Sequence, residues 1–336
     1  METLWFILWG VLWAVYLTLD GFDLGAGTLM PYVARGDTEK RLVYNALGPY
    51  WDGNEVWLVT GGGVTFAAFP KTYAVMFSSL YTPLMLLLFA LILRGISFEL
   101  RSKDEAIWWR KGFDVFMVVG SFLPALLLGV FFANLFRGVP IDAKGVLQGN
   151  LLTLLNPYGL LGGVLFVLLF AVHGGLWLGI KTEGPVHDRA LRAANVLWPF
   201  LLVVAVAFLV YSWFGTKLFD NYRKAPYLFA LPGLAVAGLL GIKLFLRKGR
   251  LWQAWASSGA AILGAALFGV AGMYPNLLPS SLSEKYSYTA HNAASSPLTL
   301  KIMLGVALAT VPVVIGYQTW VYVRFRGKVS PEHLEY

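Results

Sequence analysis

Apolar residues follow one another along this chain in long unbroken stretches, separated by short polar segments, and do not alternate as they would in half-buried strands. A helix that crosses a bilayer needs about 20 mostly apolar residues. Runs of that length lie near 4–30, 74–97, 112–137, 158–180, 196–214, 227–246, 254–273 and 299–323. A ninth candidate, 52–69, is less apolar, carrying Asp52, Asn54, Glu55 and the glycines at 61–63. The pattern predicts an all-α polytopic membrane protein, a single transmembrane domain over 1–336 with nine helices.

The basic residues decide in favour of the ninth span. With nine, the loops 31–51, 98–111, 181–195 and 247–253, with the tail after 323, hold 16 Lys and Arg, against seven in the opposite loops. The positive-inside bias then places the N-terminus outside and the C-terminus in the cytoplasm. With eight spans the alternation breaks after residue 70. The first run has no basic stretch before it and no small-residue cleavage site after it, which reads as a retained helix and not a removed signal. The two longest connections, 138–157 and 274–298, are rich in Pro, Asn, Ser and Gly, as ordered caps built from turns would be.

Composition agrees. Hydrophobic residues make up 58% of the 336 and charged residues 13%, where a soluble domain carries about 25%. The formal charge of +8 would suggest nucleic acid in a soluble protein, but here it sits in loops where anionic lipid accounts for it. With no cysteine, disulfides, iron–sulfur clusters and thiolate-bound metal are excluded within the chain. The sequence has no phosphate-binding loop, no dinucleotide fingerprint and no His-Glu-x-x-His pair, so nothing supports nucleotide-driven transport or metalloprotease chemistry.

An ionisable residue within a membrane helix is costly unless paired or hydrated, so each one asks for a reason. Asp20 and Asp23 lie three apart on one helical face, among Gly21, Gly25 and Gly27, which allow another backbone close. They read either as a carboxylate pair that relays protons or as a packing seam with aspartates touching water. Asp52 and Glu55 repeat the spacing in the densest polar cluster of any span, with Trp51 placed as an interfacial anchor. Their alternatives are a functional pair and a helix start capped by a first-turn acid. His173 reads as a haem or metal ligand, or more simply as a histidine bonded to a neighbouring carbonyl. Arg94 reads as paired with a nearby acid or, more simply, as a charged anchor at the membrane rim.

Read together, the polar motifs carry a resemblance. Gly21-Phe22-Asp23-Leu24-Gly25, Gly48-Pro49, the stretch from Trp51-Asp52-Gly53-Asn54-Glu55-Val56-Trp57 to Gly61-Gly62-Gly63, and Phe66-Ala67-Ala68-Phe69-Pro70 are similar to subunit II of the cytochrome bd quinol oxidases. The likeness continues in order through Phe98-Glu99-Leu100-Arg101, Gly120-Ser121-Phe122-Leu123-Pro124, Asn156-Pro157, Tyr274-Pro275, Asn292-Ala293-Ala294-Ser295-Ser296-Pro297 and Tyr317-Gln318-Thr319-Trp320.

This resemblance implies a nine-helix subunit of a bacterial cell-membrane complex that oxidises quinol and reduces dioxygen to water, inactive alone. It implies an obligate partner, subunit I, holding a low-spin haem b, a high-spin haem b and haem d, with no cofactor or metal bound by this chain itself. A small accessory subunit and membrane lipid are further partners of such complexes. The short connection before 227 resembles versions from Gram-positive bacteria, which favours menaquinol. By the same resemblance Asp52 matches an aspartate lining a cytoplasmic proton route at the subunit interface. Asp23 and Glu55 match acids of the same motifs, and Arg101 a basic residue near the mouth of that route. Trp51, Trp57, Gly21 and Gly25 are interface or packing candidates. Two competing readings are a purely structural assembly subunit and a secondary transporter built on polar, glycine-rich spans.

Overall fold

In lipid every backbone polar group must find its partner within the chain, and a long apolar run does so by coiling into a helix. The computed structural model describes residues 1–332 and 334–336, and its long helices follow the apolar runs. The order is α1 (Glu2–Val33), α2 (Gly36–Leu47), α3 (Trp51–Ala68), α4 (Pro70–Ser79), α5 (Tyr81–Leu100), α6 (Ile107–Arg137) and α7 (Leu151–Leu154). Then come α8 (Pro157–Lys181), α9 (Gly184–Gly215), α10 (Phe219–Lys224), α11 (Ala230–Arg247), α12 (Leu251–Met273), β1 (Asn276–Leu278), β2 (Tyr288–Thr289) and α13 (Pro297–Arg324). Among the described residues eight helices are long and apolar enough to cross a membrane: α1, α5 with the turn after it, α6, α8, α9, α11 with the turn before it, α12 and α13. The less apolar stretch at 52–69 is helical too, as α3, whose 18 residues extend about 27 Å.

Three boundaries differ from the sequence expectation, each for a local reason. The run 74–97 is broken at Leu80, between α4 and α5. Pro83 has no N–H to give a preceding turn, and it is tolerated because it falls in the first turn of a new helix. The segment before Trp51 contains α2, a 12-residue helix buried over its last six residues, which is too short for a search for membrane spans to find. Helix α9 starts at Gly184, well before the apolar run at 196, because its polar first turns extend beyond that run.

Helix α1 lies at the centre and packs against α3, α6, α8, α9 and α12. Its closest approach is to α8: a Cβ on Gly25 would lie 1.7 Å from the Phe170 carbonyl oxygen, and one on Gly174 would lie 2.2 Å from the Ala26 nitrogen. By contrast α13 buries only Leu300 and touches the bundle chiefly along α3. The two long connections close one end together. Val139 donates to the Pro279 carbonyl at 2.9 Å, Ser281 donates to the Val139 carbonyl at 3.0 Å, and β1 pairs antiparallel with β2.

Candidate functional site

The polar residues of α1, α3, α5 and α13 meet in one buried place. Glycines on α1 allow α8 in on one side, and the Asp20 and Asp23 side chains on the same helix are wholly buried. Arg94, on α5, is also wholly buried, and its Nη2 lies 2.7 Å from Asp20 Oδ1 and 3.3 Å from Glu55 Oε2. The rim-anchor expectation for Arg94 is therefore corrected. Six residues before its helix end it could have reached water, but two acid-bearing helices, α1 and α3, converge on it, and pairing inside is the shorter reach.

Asp23 is held separately. Its Oδ2 accepts a 2.7 Å hydrogen bond from Asn54 Nδ2, while Oδ1 is buried with no hydrogen-bond partner among the described residues. Asn54 Oδ1 accepts from the Tyr322 hydroxyl at 2.9 Å and from Gln318 Nε2 at 3.0 Å, and Gln318 Oε1 accepts from Trp57 Nε1 at 2.8 Å. Gln318 and Tyr322 also line an open polar cavity of about 430 Å³, whose wall includes Tyr50, Asp52, Glu99 and Tyr336. Asp52 sits exposed in the first turn of α3, at this cavity and away from the buried cluster. The arrangement thus has two levels: a water-open cavity with Asp52 on its wall, and beneath it Asp20 and Glu55 sharing one guanidinium, with Asp23 held beside them by Asn54. A cluster with more carboxyls than cations is chemically suited to taking up and releasing protons.

The remaining sequence candidates fall elsewhere. Arg101 belongs to a network at the basic end, donating from Nε to Asp114 at 2.6 Å and from Nη2 to Asp37 at 2.8 Å, with Lys40 also on Asp114 at 2.8 Å. There burial pushes the Asp37 carboxyl up, but the Arg101 hydrogen bond and the Arg101 and Arg110 charges outweigh it and hold it below the usual range. Trp51 stacks on Phe98 with ring centres 5.0 Å apart. Gly21 meets Phe170, so Gly21 and Gly25 both pack against α8 of this same chain.

His173 is wholly buried, with Nδ1 2.6 Å from Ser258 Oγ, Nε2 3.1 Å from the Thr18 carbonyl oxygen, and its ring stacked on Trp255. Both ring nitrogens are engaged by protein, so the carbonyl-bonded reading describes it. His187 Nδ1 likewise faces the Gly179 carbonyl, and His291 Nδ1 faces Glu2. His173 therefore has no ring nitrogen left over to serve as an axial haem ligand. Sequence reasoning missed Asn54, Gln318 and Tyr322 as members of the site. Asn54 and Gln318 stood inside recognised motifs, but only the fold brings α13 against α3.

Against known proteins, residues 1–325 match the family described as cytochrome bd terminal oxidase subunit II. Cytochrome bd ubiquinol oxidase subunit 2 of Bacillus subtilis is 37% identical over 330 residues, covering 98% of this chain and 97% of its own. Cytochrome bd-I ubiquinol oxidase subunit 2 of Escherichia coli K12 is 35% identical over 368 residues, covering 100% of this chain and 97% of its own. A chain of the bd oxidase from Geobacillus thermodenitrificans shares the fold with a TM-score of 0.75 at 16% identity, over 96% of this chain and 98% of that one. The chain belongs to the cytochrome bd terminal oxidase subunit II family.

Proposed function

We propose, from that membership, that this chain is the second subunit of a membrane-bound oxidoreductase of the respiratory chain, which oxidises quinol and reduces dioxygen to water together with a larger subunit I. Quinol supplies the electrons, and the haems that carry them belong to subunit I, a reading that rests on the family resemblance and is supported by the fully engaged ring of His173. Forming water also consumes protons, and these must cross a low-dielectric barrier that an unassisted charge cannot. This chain's part is to bring them in, Asp52 at the cavity wall and Asp23 beneath it providing the stops. Glu55 tunes the field from its place on Arg94, and Arg101 braces the basic end where the cavity opens. That end is cytoplasmic in the nine-span topology, with the N-terminus outside. The quinol favoured is menaquinol, and a small accessory subunit and bound lipid complete the assembly.

The observation that carries this reading is the polar cavity bearing Asp52 and reaching, through Gln318 and Tyr322, the side chain that holds Asp23. Replacing Asp52 by Asn tests it. Turnover per haem in the purified complex falls at least about tenfold, as expected when a proton-transfer group is lost, while haem content stays that of wild type. A complex formed in lower amount but turning over normally would sink the proton role and leave a scaffold.

For Asp20 the scaffold account has its own support, because its Oδ1 is paired with a buried guanidinium. It neutralises a charge that would otherwise cost several kcal/mol.

A further inference from the structure

One side chain hydrogen-bonds both to the wall of the polar cavity and to Asp23, and it is one that neither gains nor loses a proton. Asn54 is wholly buried on α3. Its Nδ2 donates to Asp23 Oδ2 at 2.7 Å and to the Leu19 carbonyl at 3.2 Å, and its Oδ1 accepts from Tyr322 and Gln318. Two donors and two acceptor sites are all that an amide has, so every one is used. Saturation fixes which way the amide faces, with nitrogen toward α1 and oxygen toward α13. Gln318 cannot turn over to offer its oxygen instead, because that oxygen already accepts from Trp57.

An amide so fixed is a poor stop for a proton, because passing one through would demand its unfavourable imidic tautomer. What it does well is hold its acceptor. With Oδ2 of Asp23 tied to Asn54, the carboxyl keeps one rotamer, and Oδ1, which has no protein partner among the described residues, points elsewhere. We propose that Asn54 is a positioning residue: by gripping Asp23 Oδ2 while docking α13 through Gln318 and Tyr322, it makes Asp23 Oδ1 the atom that accepts and releases the proton. This rests on the proton-uptake reading given above and adds to it a residue and an atom.

The test uses the intact haem-loaded complex and two readouts, the infrared difference band of Asp23 and the pH profile of turnover at equal haem content. The band is identified by its loss in Asp23→Asn. In Asn54→Leu, which keeps the shape and removes the donor, the Asp23 band moves because its hydrogen bond is gone. Turnover drops about tenfold, the scale of one lost hydrogen bond to a charged group, and the pH optimum shifts. Asn54→Leu combined with Asp23→Asn is no slower than Asp23→Asn alone, because the first acts through the second. Tyr322→Phe, which loosens only the α13 side, leaves the band where it was.

An unmoved band with an unchanged pH profile in Asn54→Leu overturns the proposal, as does a double variant in which the two losses multiply. Should Asn54→Leu not assemble, Asn54→Ser carries the same measurement, and an unmoved band there is equally fatal. If Asp23→Asn itself turns over at the wild-type rate, the proton reading fails, while the band shift still decides whether Asn54 holds Asp23.

Discussion

A guanidinium with no route to water must be matched by acids, and the way Arg94 is matched separates two kinds of carboxyl. Asp20 and Glu55 both face Arg94 Nη2, whereas Asp23 answers to Asn54. Removing one partner of a buried ion pair costs about 3–5 kcal/mol because the other charge is left alone, while replacing both with apolar residues is often close to neutral. Arg94→Leu therefore lowers the thermal unfolding midpoint of the purified complex sharply, and adding Asp20→Leu restores a large part of the loss. A double variant as unstable as the single one would show that Arg94 matters for something other than this pair. The residue scale is also where the sequence was least legible. Asp20, Asp23 and Glu55 stood out as ionisable groups in apolar runs, but Arg94, the partner of Asp20 and Glu55, reads in sequence more simply as a rim anchor than as a paired charge, because nothing in linear order says that α1 and α3 converge on it. Asn54 drew attention only as part of a motif, since an uncharged amide raises no electrostatic alarm until its four bonds are seen.

At the scale of elements the apolar runs translate almost directly into helices, because length and hydropathy are what the bilayer demands of them. What the runs do not encode is where a helix is interrupted inside lipid. The chain stays apolar across Leu80, and only the place of Pro83 relative to a new first turn marks the break. Glycine was better evidence. The spacing of Gly21, Gly25 and Gly27 on α1 predicts a close neighbour: Gly21 and Gly25 meet α8, whose own Gly174 meets the Ala26 backbone, while Gly27 meets Ser121 and Met117 of α6. A side chain at residue 25 has to push the two helices apart, and α1 carries the aspartates of the site. Gly25→Val therefore abolishes assembly of the folded complex in membranes, read as loss of haem-containing protein by size-exclusion chromatography. Gly233→Ala on α11, where a Cβ meets nothing within 4 Å, leaves the yield unchanged. Normal yield from Gly25→Val would mean that the α1–α8 contact is not what fixes the site.

Over the whole molecule, the question that decides orientation is whether α3 crosses the membrane, since its polar first half keeps it below the hydropathy of the other spans. Its two ends supply the physical argument. At the start, the Tyr50 hydroxyl donates to the Phe325 carbonyl at 2.6 Å, beside the C-terminal tail. At its finish, Ser295 donates its amide to the Ala68 carbonyl at 2.9 Å, within the cap that also holds Glu2 against His291. A helix bonded to both caps of the bundle runs its full depth, which supports nine crossings and agrees with the placement of the basic loops. The polarity is then tolerable because Asp52 faces a water-open cavity, Asn54 is saturated, and Glu55 is paired. Because the chain contains no cysteine, each introduced thiol is unique. With nine crossings, Thr38→Cys on exposed α2 reacts with a membrane-impermeant maleimide only after spheroplasts are permeabilised, whereas Ser281→Cys in the opposite cap reacts in intact ones. With eight, both residues would fall on one side and label together. That outcome would place the cavity and Asp52 without a cytoplasmic opening, and the proton route would have to be sought elsewhere in the complex.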